Sequence, residues 1–254
     1  VIVLDRPNPL GEVMEGPLVD RGCRSFISIA NIPLRHGMTI GELANMFNSE
    51  KWLGENLSAN LTIIEMKGWD RNLLFDQYRL PWINPSPNIP SLNTALLYPG
   101  MCLIEGVNVS EGRGTYSPFL IFGAPYIDSS ELLLELESYN NPGLQLKPIS
   151  FIPIAIENMS IYPKYKDQKC NGISISVTDK NNTKSLRFGI KILYTIKKLY
   201  PQDFAYRKNW LDKLFGDTYL REMLDTGKTP YEIIIVWESE YNKLKVLRSK
   251  YLVY

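Results

Sequence analysis

Val1-Ile2-Val3-Leu4, followed by Asp5-Arg6-Pro7-Asn8-Pro9, is the stretch that decides the fold. The first four residues form a short, wholly apolar run, which is typical of a strand covered on both faces in a parallel sheet. The next five residues include two prolines and can continue neither a strand nor a helix. Ligands of open α/β sheets bind beyond the carboxyl ends of the strands, so we expect a site to begin in this loop.

Helix, strand and polar-loop patterns alternate along the first 143 residues. Thr39-Ile40-Gly41-Glu42 is a capping-box pattern that predicts a helix to about Asn48. The further predicted strands are Leu61–Met66, Met101–Ile104 and Phe119–Phe122. This alternation favours an α/β layer architecture.

A turn-rich patch, Asn140-Asn141-Pro142-Gly143, predicts a boundary between a first unit, 1–143, and a second unit, 144–254. In the second unit, apolar residues that alternate with serine predict a strand near Ile173–Val177, and helical spacing predicts a helix over Leu186–Leu199. Asp217–Asp225 is a predicted short helix, and Thr229-Pro230-Tyr231-Glu232 predicts the start of the final helix.

Composition excludes several classes of protein. The 254 residues carry a net charge of +1, which gives no electrostatic argument for nucleic acid or an anionic membrane. No apolar run approaches the roughly 20 residues that span a bilayer. The abrupt start inside a strand leads us to expect an N-terminal part of the same protein that this chain lacks.

Motifs for metals and nucleotides are absent from the sequence. His36 is the single histidine, which excludes a multi-histidine metal site within the chain. The three cysteines have no C-x-x-C spacing; one disulfide is possible in an oxidising compartment, but small buried residues are more common. No G-x-S-x-G, Walker or G-x-G-x-x-G motif occurs, so we predict no metal and no organic cofactor.

Chemistry, if the chain performs any, is predicted in three polar loops: Asp5–Pro17, Asn84–Thr94 and Glu105–Thr115. In the first loop, Asp5 and Arg6 are more simply read as a pair that caps backbone groups. Glu15 is the carboxylate that we predict to be functional, because prolines stiffen its loop beyond the first strand.

The loop Glu105–Thr115 has the densest set of polar groups. Two carboxylates, an amide, hydroxyls and the fork of Arg113 suit a polyhydroxylated, anionic ligand. An internally satisfied Ω-loop with a Glu–Arg ion pair explains the pattern equally well. The candidate binding residues here are Glu105, Asn108, Glu111, Arg113 and Thr115.

The other two candidate regions give weaker patterns. Asn88 lies in a proline-rich loop that could also be a rigid connector, and Arg35-His36 could hydrogen-bond a ligand, although a satisfied loop histidine is the simpler reading. Carboxylates among many neutral hydrogen-bonding groups are what glycoside hydrolysis requires.

These same loops resemble the bacterial NamZ-type exo-β-N-acetylmuramidases. The matching motifs run in order through nearly the whole chain: Val3–Gly11, Glu15-Gly16-Pro17, Arg35–Thr39 with Gly41-Glu42, Pro85–Asn88, Tyr98-Pro99-Gly100, Glu105-Gly106, Asn108–Thr115, Arg248 and Tyr251–Tyr254. One departure is Leu120, where many relatives carry an acidic or amide residue.

The resemblance implies a glycosidase that releases N-acetylmuramic acid from the non-reducing end of peptidoglycan fragments. It also implies that residues 1–143 are part of a Rossmann-like layered catalytic domain, that 144–254 form a smaller α+β auxiliary domain, and that the active site lies between them. Full-length members carry an upstream Glu-His-Gly motif that this chain lacks, which puts one candidate catalytic carboxylate outside it. The substrate implies a periplasmic or extracellular location.

The resemblance makes Glu15 the best catalytic candidate within the chain. The lactyl carboxylate of N-acetylmuramic acid calls for an arginine fork, for which Arg113, Arg6 and Arg35 are candidates. We hypothesise that Arg113 binds this carboxylate and that Asn8, His36 and Asn88 are further substrate-binding residues. The alternative function is a non-catalytic protein that binds peptidoglycan fragments.

Overall fold

The computed structural model describes residues 1–54 and 57–254. In chain order these residues form β1 (Ile2–Leu4), α1 (Ile40–Ser49), β2 (Thr62–Ile64), α2 (Leu92–Met101), β3 (Ile121–Ala124), α3 (Ser129–Glu137), β4 (Leu144–Phe151), β5 (Cys170–Val177), α4 (Ser185–Leu199), α5 (Lys208–Phe215), α6 (Tyr219–Asp225), α7 (Pro230–Glu238) and α8 (Tyr241–Ser249). Short 3₁₀ turns lie at Arg21–Cys23, Phe75–Tyr78 and Cys102–Gly106. The chain is therefore a mixed α/β structure with small sheets.

A βαβ unit begins the chain. β1 and β2 are parallel, with Leu4 opposite Ile64, and α1 lies between them in sequence. The predicted capping box at the start of α1 is confirmed: the Thr39 hydroxyl accepts from the Glu42 N–H at 3.2 Å, and the Glu42 carboxylate accepts from the Thr39 N–H at 2.9 Å. These bonds satisfy orphan donors of the first turn.

The prediction that β1 is covered on both faces is wrong for this chain. Ile2 and Leu4 are 69% and 64% exposed. Among the described residues, β1 has one neighbouring strand, and no second layer lies on its outer face. An apolar run predicts a strand correctly, but its burial depends on what packs against it.

A three-stranded antiparallel sheet, in the order β3-β5-β4, forms the second sheet. Phe122 of β3 lies opposite Ile173, and Ile149 of β4 lies opposite Gly172. A Cβ atom on Gly172 would lie 1.8 Å from the Phe122 carbonyl oxygen, so this close approach requires glycine. The sheet crosses residue 143, where the sequence predicts the boundary between two units.

Helix α4 lies at the centre of the buried core and confirms the helix predicted over Leu186–Leu199. It contacts α2 so closely that a Cβ atom on Gly100 would lie 1.8 Å from the Ser185 carbonyl oxygen. Gly189 approaches the Gly100 backbone from the other helix. The backbones of α2 and α4 are therefore packed directly against each other, which holds the N-terminus of α4 in place.

Two predicted elements are corrected. Met101–Ile104 is not a strand: α2 ends at Met101 and passes into the 3₁₀ turn. All four residues are buried, and the periodicity of a short buried run does not distinguish a strand from a helix. The Thr229 capping box does begin α7, but α8 follows, so α7 is not the final helix.

Cys23, Cys102 and Cys170 are free and buried. Within the described ranges, no helix is long and apolar enough to cross a membrane. The same residues hold no group of three or more His, Cys, Asp or Glu side chains placed to bind a metal ion.

Candidate active site

Glu15 and Arg35 are held side by side by their backbones. The Glu15 N–H donates to the Arg35 carbonyl oxygen at 2.9 Å, and the Arg35 N–H donates to the Glu15 carbonyl oxygen at 3.0 Å. This two-residue bridge directs both side chains inward, where Arg35 Nη1 lies 3.1 Å from Glu15 Oε2. Each side chain is 2% exposed, so this is a buried ion pair.

The hydrogen bonding of this pair is incomplete. Arg35 also donates to the carbonyl oxygens of Thr183 at 3.1 Å and Leu10 at 2.9 Å. Glu15 Oε1 and Arg35 Nε are buried without a partner among the described residues. Burial raises the pKa of Glu15 above its ordinary value of 4.5, although Arg35 opposes the shift. Glu15 therefore keeps a proton to higher pH than an exposed glutamate, as a general acid requires.

A polar pocket of about 500 Å³ adjoins the segment that carries Glu15. We call it the Tyr241 pocket; its lining residues are Glu12, Val13, Met14, Lys184, Tyr241, Lys245, Arg248 and Leu252. The Tyr241 hydroxyl accepts from the Gly16 N–H at 2.9 Å and donates to the Met14 carbonyl oxygen at 3.3 Å. These bonds on both sides of Glu15 fix its backbone to α8.

The Glu105–Thr115 loop gathers a second set of charges. Arg113 lies 3.3 Å from Glu105 and 3.4 Å from Glu111, and its guanidinium stacks 5.0 Å from the centre of the Phe119 ring. Lys164 approaches Glu111 at 3.1 Å. Burial raises the pKa of Glu105, and Arg113 opposes that shift. The carboxylates and cations of this loop are thus paired with one another, as in the Ω-loop alternative.

The remaining candidates of this loop hydrogen-bond within the protein. The Asn108 amide donates to the Asp203 carbonyl oxygen at 2.7 Å and accepts from the Ala205 N–H at 2.8 Å. The Thr115 hydroxyl donates to the Gly112 carbonyl oxygen at 2.7 Å. Both side chains therefore connect the loop to its surroundings.

Asn8, Asn88 and His36 also have protein partners. Asn8 donates to the Met38 carbonyl oxygen at 3.0 Å, and Asn88 donates to that of Met159 at 2.9 Å. His36 Nδ1 accepts from the Met38 N–H at 3.1 Å. Burial, with a smaller effect of the Arg248 cation, lowers the pKa of His36 to about 4, so this imidazole is neutral at pH 7.

The side chains of Asp5 and Arg6 do not form the predicted ion pair, but the Asp5 carboxylate accepts from the Arg6 backbone N–H at 2.9 Å. Asp5 accepts from the Thr39 hydroxyl at 2.7 Å, the Gly41 N–H at 2.8 Å and the Tyr254 hydroxyl at 2.9 Å. Its predicted role in capping backbone groups is therefore observed at Gly41. Arg6 is exposed beside an apolar pocket of about 550 Å³ that includes Trp82.

The structure thus brings the candidates together in two groups. Glu15 contacts Arg35, and Glu105, Glu111 and Arg113 contact one another; within the described residues, no hydrogen bond or ion pair joins the groups. Sequence reasoning missed Lys164, Lys184 and Tyr241. They are far along the chain from the loops that they contact, and no local motif marks them.

Comparisons with known proteins agree along the whole chain. Residues 1–93 match the family model described as exo-beta-N-acetylmuramidase NamZ, N-terminal, and residues 96–254 match its C-terminal counterpart. The chain is 40% identical over 255 residues to the peptidoglycan beta-N-acetylmuramidase NamZ of Bacillus subtilis (strain 168), covering 100% of this chain and 59% of that protein. The chain thus spans less than two thirds of that relative's length.

Two crystal structures of DUF1343 family proteins from Bacteroides fragilis NCTC 9343 share the fold. One is 30% identical with a TM-score of 0.90, and the match covers 100% of this chain and 66% of that one. The other is 32% identical with a TM-score of 0.78, and the coverage is 100% and 65%.

Proposed function

The chain belongs to the exo-beta-N-acetylmuramidase NamZ family, and we propose that its protein hydrolyses peptidoglycan fragments, releasing N-acetylmuramic acid from their non-reducing ends. The name of the Bacillus subtilis relative, 40% identical over the whole chain, supports this substrate. The resemblance found in the sequence motifs is confirmed at the level of the family.

Glu15 is the group of this chain to which we give a catalytic role. Glycoside hydrolysis uses two carboxyl groups, one of which protonates the leaving oxygen. The observation that carries the assignment is a buried carboxyl group with a raised pKa and one oxygen without a partner. We propose that Glu15 supplies that proton and that the second carboxylate lies in a segment outside this chain.

Replacement of Glu15 tests this assignment. Glu15→Gln in the full-length protein keeps the shape of the side chain but removes its titratable proton, so turnover of a chromogenic N-acetylmuraminide falls at least a hundredfold. Substrate binding, measured by calorimetry, stays within about twofold. The matched control is Glu137→Gln, which changes an exposed glutamate on α3. Full activity of Glu15→Gln removes Glu15 from the mechanism.

A second candidate function is binding of peptidoglycan fragments without turnover. The 2% exposure of Glu15 favours it, because a substrate must reach the carboxyl group that protonates it. The chromogenic assay separates the two functions: a protein that binds N-acetylmuramic acid fragments and releases no chromophore is a binding protein.

Arg113 remains our candidate for recognition of the lactyl carboxylate, with Arg6, Asn8, Arg35, His36, Asn88, Glu105, Asn108, Glu111 and Thr115 as further substrate-binding candidates. Its position between two carboxylates and an aromatic ring holds the guanidinium in one orientation. Arg113→Ala lowers the preference for muramyl over glucosaminyl substrates about tenfold, read from the ratio of their kcat/KM values. An unchanged ratio excludes this role.

The domain organisation implied by the family resemblance is a further proposal. We propose that the chain joins part of a Rossmann-like layered domain, predicted as 1–143, to an auxiliary α+β domain, predicted as 144–254, with the pairing of β3 and β5 connecting the two parts. The parallel βαβ unit at the start of the chain supports the first part. From the substrate we also propose a periplasmic or extracellular location, which fractionation of the producing cells tests.

A further inference from the structure

Three cations lie along one face of α4. Lys184, Arg187 and Lys191 follow one another at helical spacing and line a pocket of about 500 Å³. From Lys184 to Lys191 the helix rises about 10 Å. No side chain caps the N-terminus of α4, so its backbone adds positive potential at Lys184.

Two further cations, Lys245 and Arg248, lie on α8. Tyr241, Lys245 and Arg248 share one face of that helix and line the Tyr241 pocket. Lys184 lines both pockets, so they lie on either side of it. We call the two pockets together the basic groove.

The charges of the groove are only partly neutralised. Arg187 pairs with Glu238, and Glu12 lines the Tyr241 pocket. The side-chain ammonium groups of Lys184 and Lys245 make no hydrogen bond or ion pair with any residue in the described parts of the chain. Five cations therefore face two carboxylates, and the third nearby carboxylate, Glu15, is paired with Arg35.

Polar atoms of the groove also lack partners. Arg187 Nε and Arg248 Nε are buried without a hydrogen-bond acceptor among the described residues. Lys191 bonds to neutral acceptors, the Asn140 carbonyl oxygen at 2.5 Å and the Asn141 side chain at 3.0 Å, so its charge stays uncompensated. The cationic lining of the groove, with few carboxylates to neutralise it, is suited to an anionic ligand.

We propose that the basic groove binds the peptide-free glycan chain that follows the terminal sugar, its cations pairing with the free lactyl carboxylates of successive N-acetylmuramic acid units. The identity of this glycan rests on the proposed function. Cations spread over two adjoining pockets match a ligand whose charges repeat along a chain better than a single small anion. Tyr231, exposed beside α4, offers an aromatic face to an intervening sugar.

The groove also adjoins the segment that carries the candidate catalytic residue. The positive charges of Lys184 and Arg187 act on the Glu15 carboxyl group, and Tyr241 bonds to the backbone on both sides of it. A chain held in the groove therefore passes the segment that carries Glu15.

Binding to matched tetrasaccharides tests the proposal. The probes are a peptide-free peptidoglycan tetrasaccharide, with two carboxylates, and chitotetraose, which is neutral and of equal length. Calorimetry of the wild-type chain shows tighter binding of the charged probe than of the neutral one. This difference in affinity shrinks as NaCl rises from about 50 to about 300 mM, because salt at such concentrations screens exposed charges. Lys184→Gln with Lys245→Gln weakens the charged probe roughly three- to thirtyfold and leaves chitotetraose unchanged.

Two variants control for charge and folding. Lys184→Arg with Lys245→Arg keeps both charges and retains binding. Lys198→Gln with Lys169→Gln removes two exposed lysines that line neither pocket and leaves both probes unaffected. Three results would overturn the proposal. They are an equal loss of affinity for both probes in Lys184→Gln with Lys245→Gln, equal affinity of the wild type for the two probes, and tighter binding of a glycerol phosphate polymer than of the charged tetrasaccharide. The binding measurement does not depend on catalytic activity. A protein that prefers the charged probe but hydrolyses no substrate would therefore contradict the proposed activity and not the proposed groove.

Discussion

The Glu42–Arg71 pair and the Glu15–Arg35 pair are both buried carboxylate–arginine pairs, but they differ in how completely they are bonded. Glu42 accepts from Arg71, the Thr39 N–H and the Val253 N–H, so both of its oxygens have partners. Every guanidinium nitrogen of Arg71 donates, including Nε to the Tyr254 carbonyl oxygen at 2.8 Å. The Glu15–Arg35 pair leaves one oxygen and one nitrogen without partners.

This difference separates a structural pair from a candidate for chemistry. Glu42 joins the N-cap of α1 to the last residues of the chain, and its bonds to Arg71 and the Val253 N–H hold distant segments together. A buried polar atom without a partner costs stability and has no structural benefit to explain it. Such exceptions to local satisfaction are expected at functional sites, and Glu15 is one of them.

The largest expected effect on stability comes from breaking the fully bonded Glu42–Arg71 pair. Glu42→Gln leaves Arg71 buried without a counter-charge and turns an amide N–H₂ toward backbone donors, so the free energy of unfolding falls by about 3–5 kcal/mol. Urea denaturation measures it. Glu137→Gln, at an exposed position, stays within about 0.5 kcal/mol. A loss for Glu42→Gln as small as that of the control would mean that the pair is not structural.

A smaller effect is expected at the C-terminal contact of the same region. The Tyr254 hydroxyl accepts from the Met66 N–H at 2.8 Å and donates to Asp5 at 2.9 Å. Tyr254→Phe removes both bonds and lowers the free energy of unfolding by about 1–2 kcal/mol. Tyr162→Phe, which alters an exposed tyrosine, is the matched control. Equal stabilities of the two variants would contradict this role of Tyr254.

The smallest expected effect is a pH dependence of the free energy of unfolding that arises from Glu15 in the Glu15–Arg35 pair. The folded protein binds a proton at Glu15 more tightly than the unfolded chain does, because burial raises its pKa above 4.5. Glu15 therefore contributes its full stability below about pH 4.5, and this contribution is lost as pH rises through the raised pKa of the folded state. Gln does not titrate. The free energy of unfolding of the wild type minus that of Glu15→Gln, measured by urea denaturation, therefore falls as pH rises above about 4.5. A flat or rising difference would contradict the raised pKa of Glu15.

Local patterns predicted several elements correctly. The capping boxes at Thr39 and Thr229 begin α1 and α7, and the apolar spacing of Leu186–Leu199 gives α4. Each of these signals depends on residues within one or two helical turns, so the sequence contains all the information needed. The strand predicted at Met101–Ile104 is wrong because this run is buried on all sides. Without a polar face, its periodicity does not distinguish a helix from a strand.

The candidate site was predictable as a set of loops but not as a set of partners. The sequence marks Glu15 and Arg35 as polar residues near a strand end, and their backbone bridge agrees with that grouping. It does not show that Lys164 would approach Glu111 or that Tyr241 would bond beside Glu15. Those contacts join residues 53 or more positions apart, and the packing of helices and sheets sets their distances.

By itself, the sequence determined the family, the helix starts and the loops in which polar groups gather, because motifs and periodicities are local. Tertiary structure alone decided which carboxylate is fully bonded and which is left with a free oxygen. That outcome depends on where Arg35, Arg71 and the C-terminal residues come to lie, and on the loss of water around them. Both pairs are buried, and which of their polar atoms find partners is a property of the whole fold.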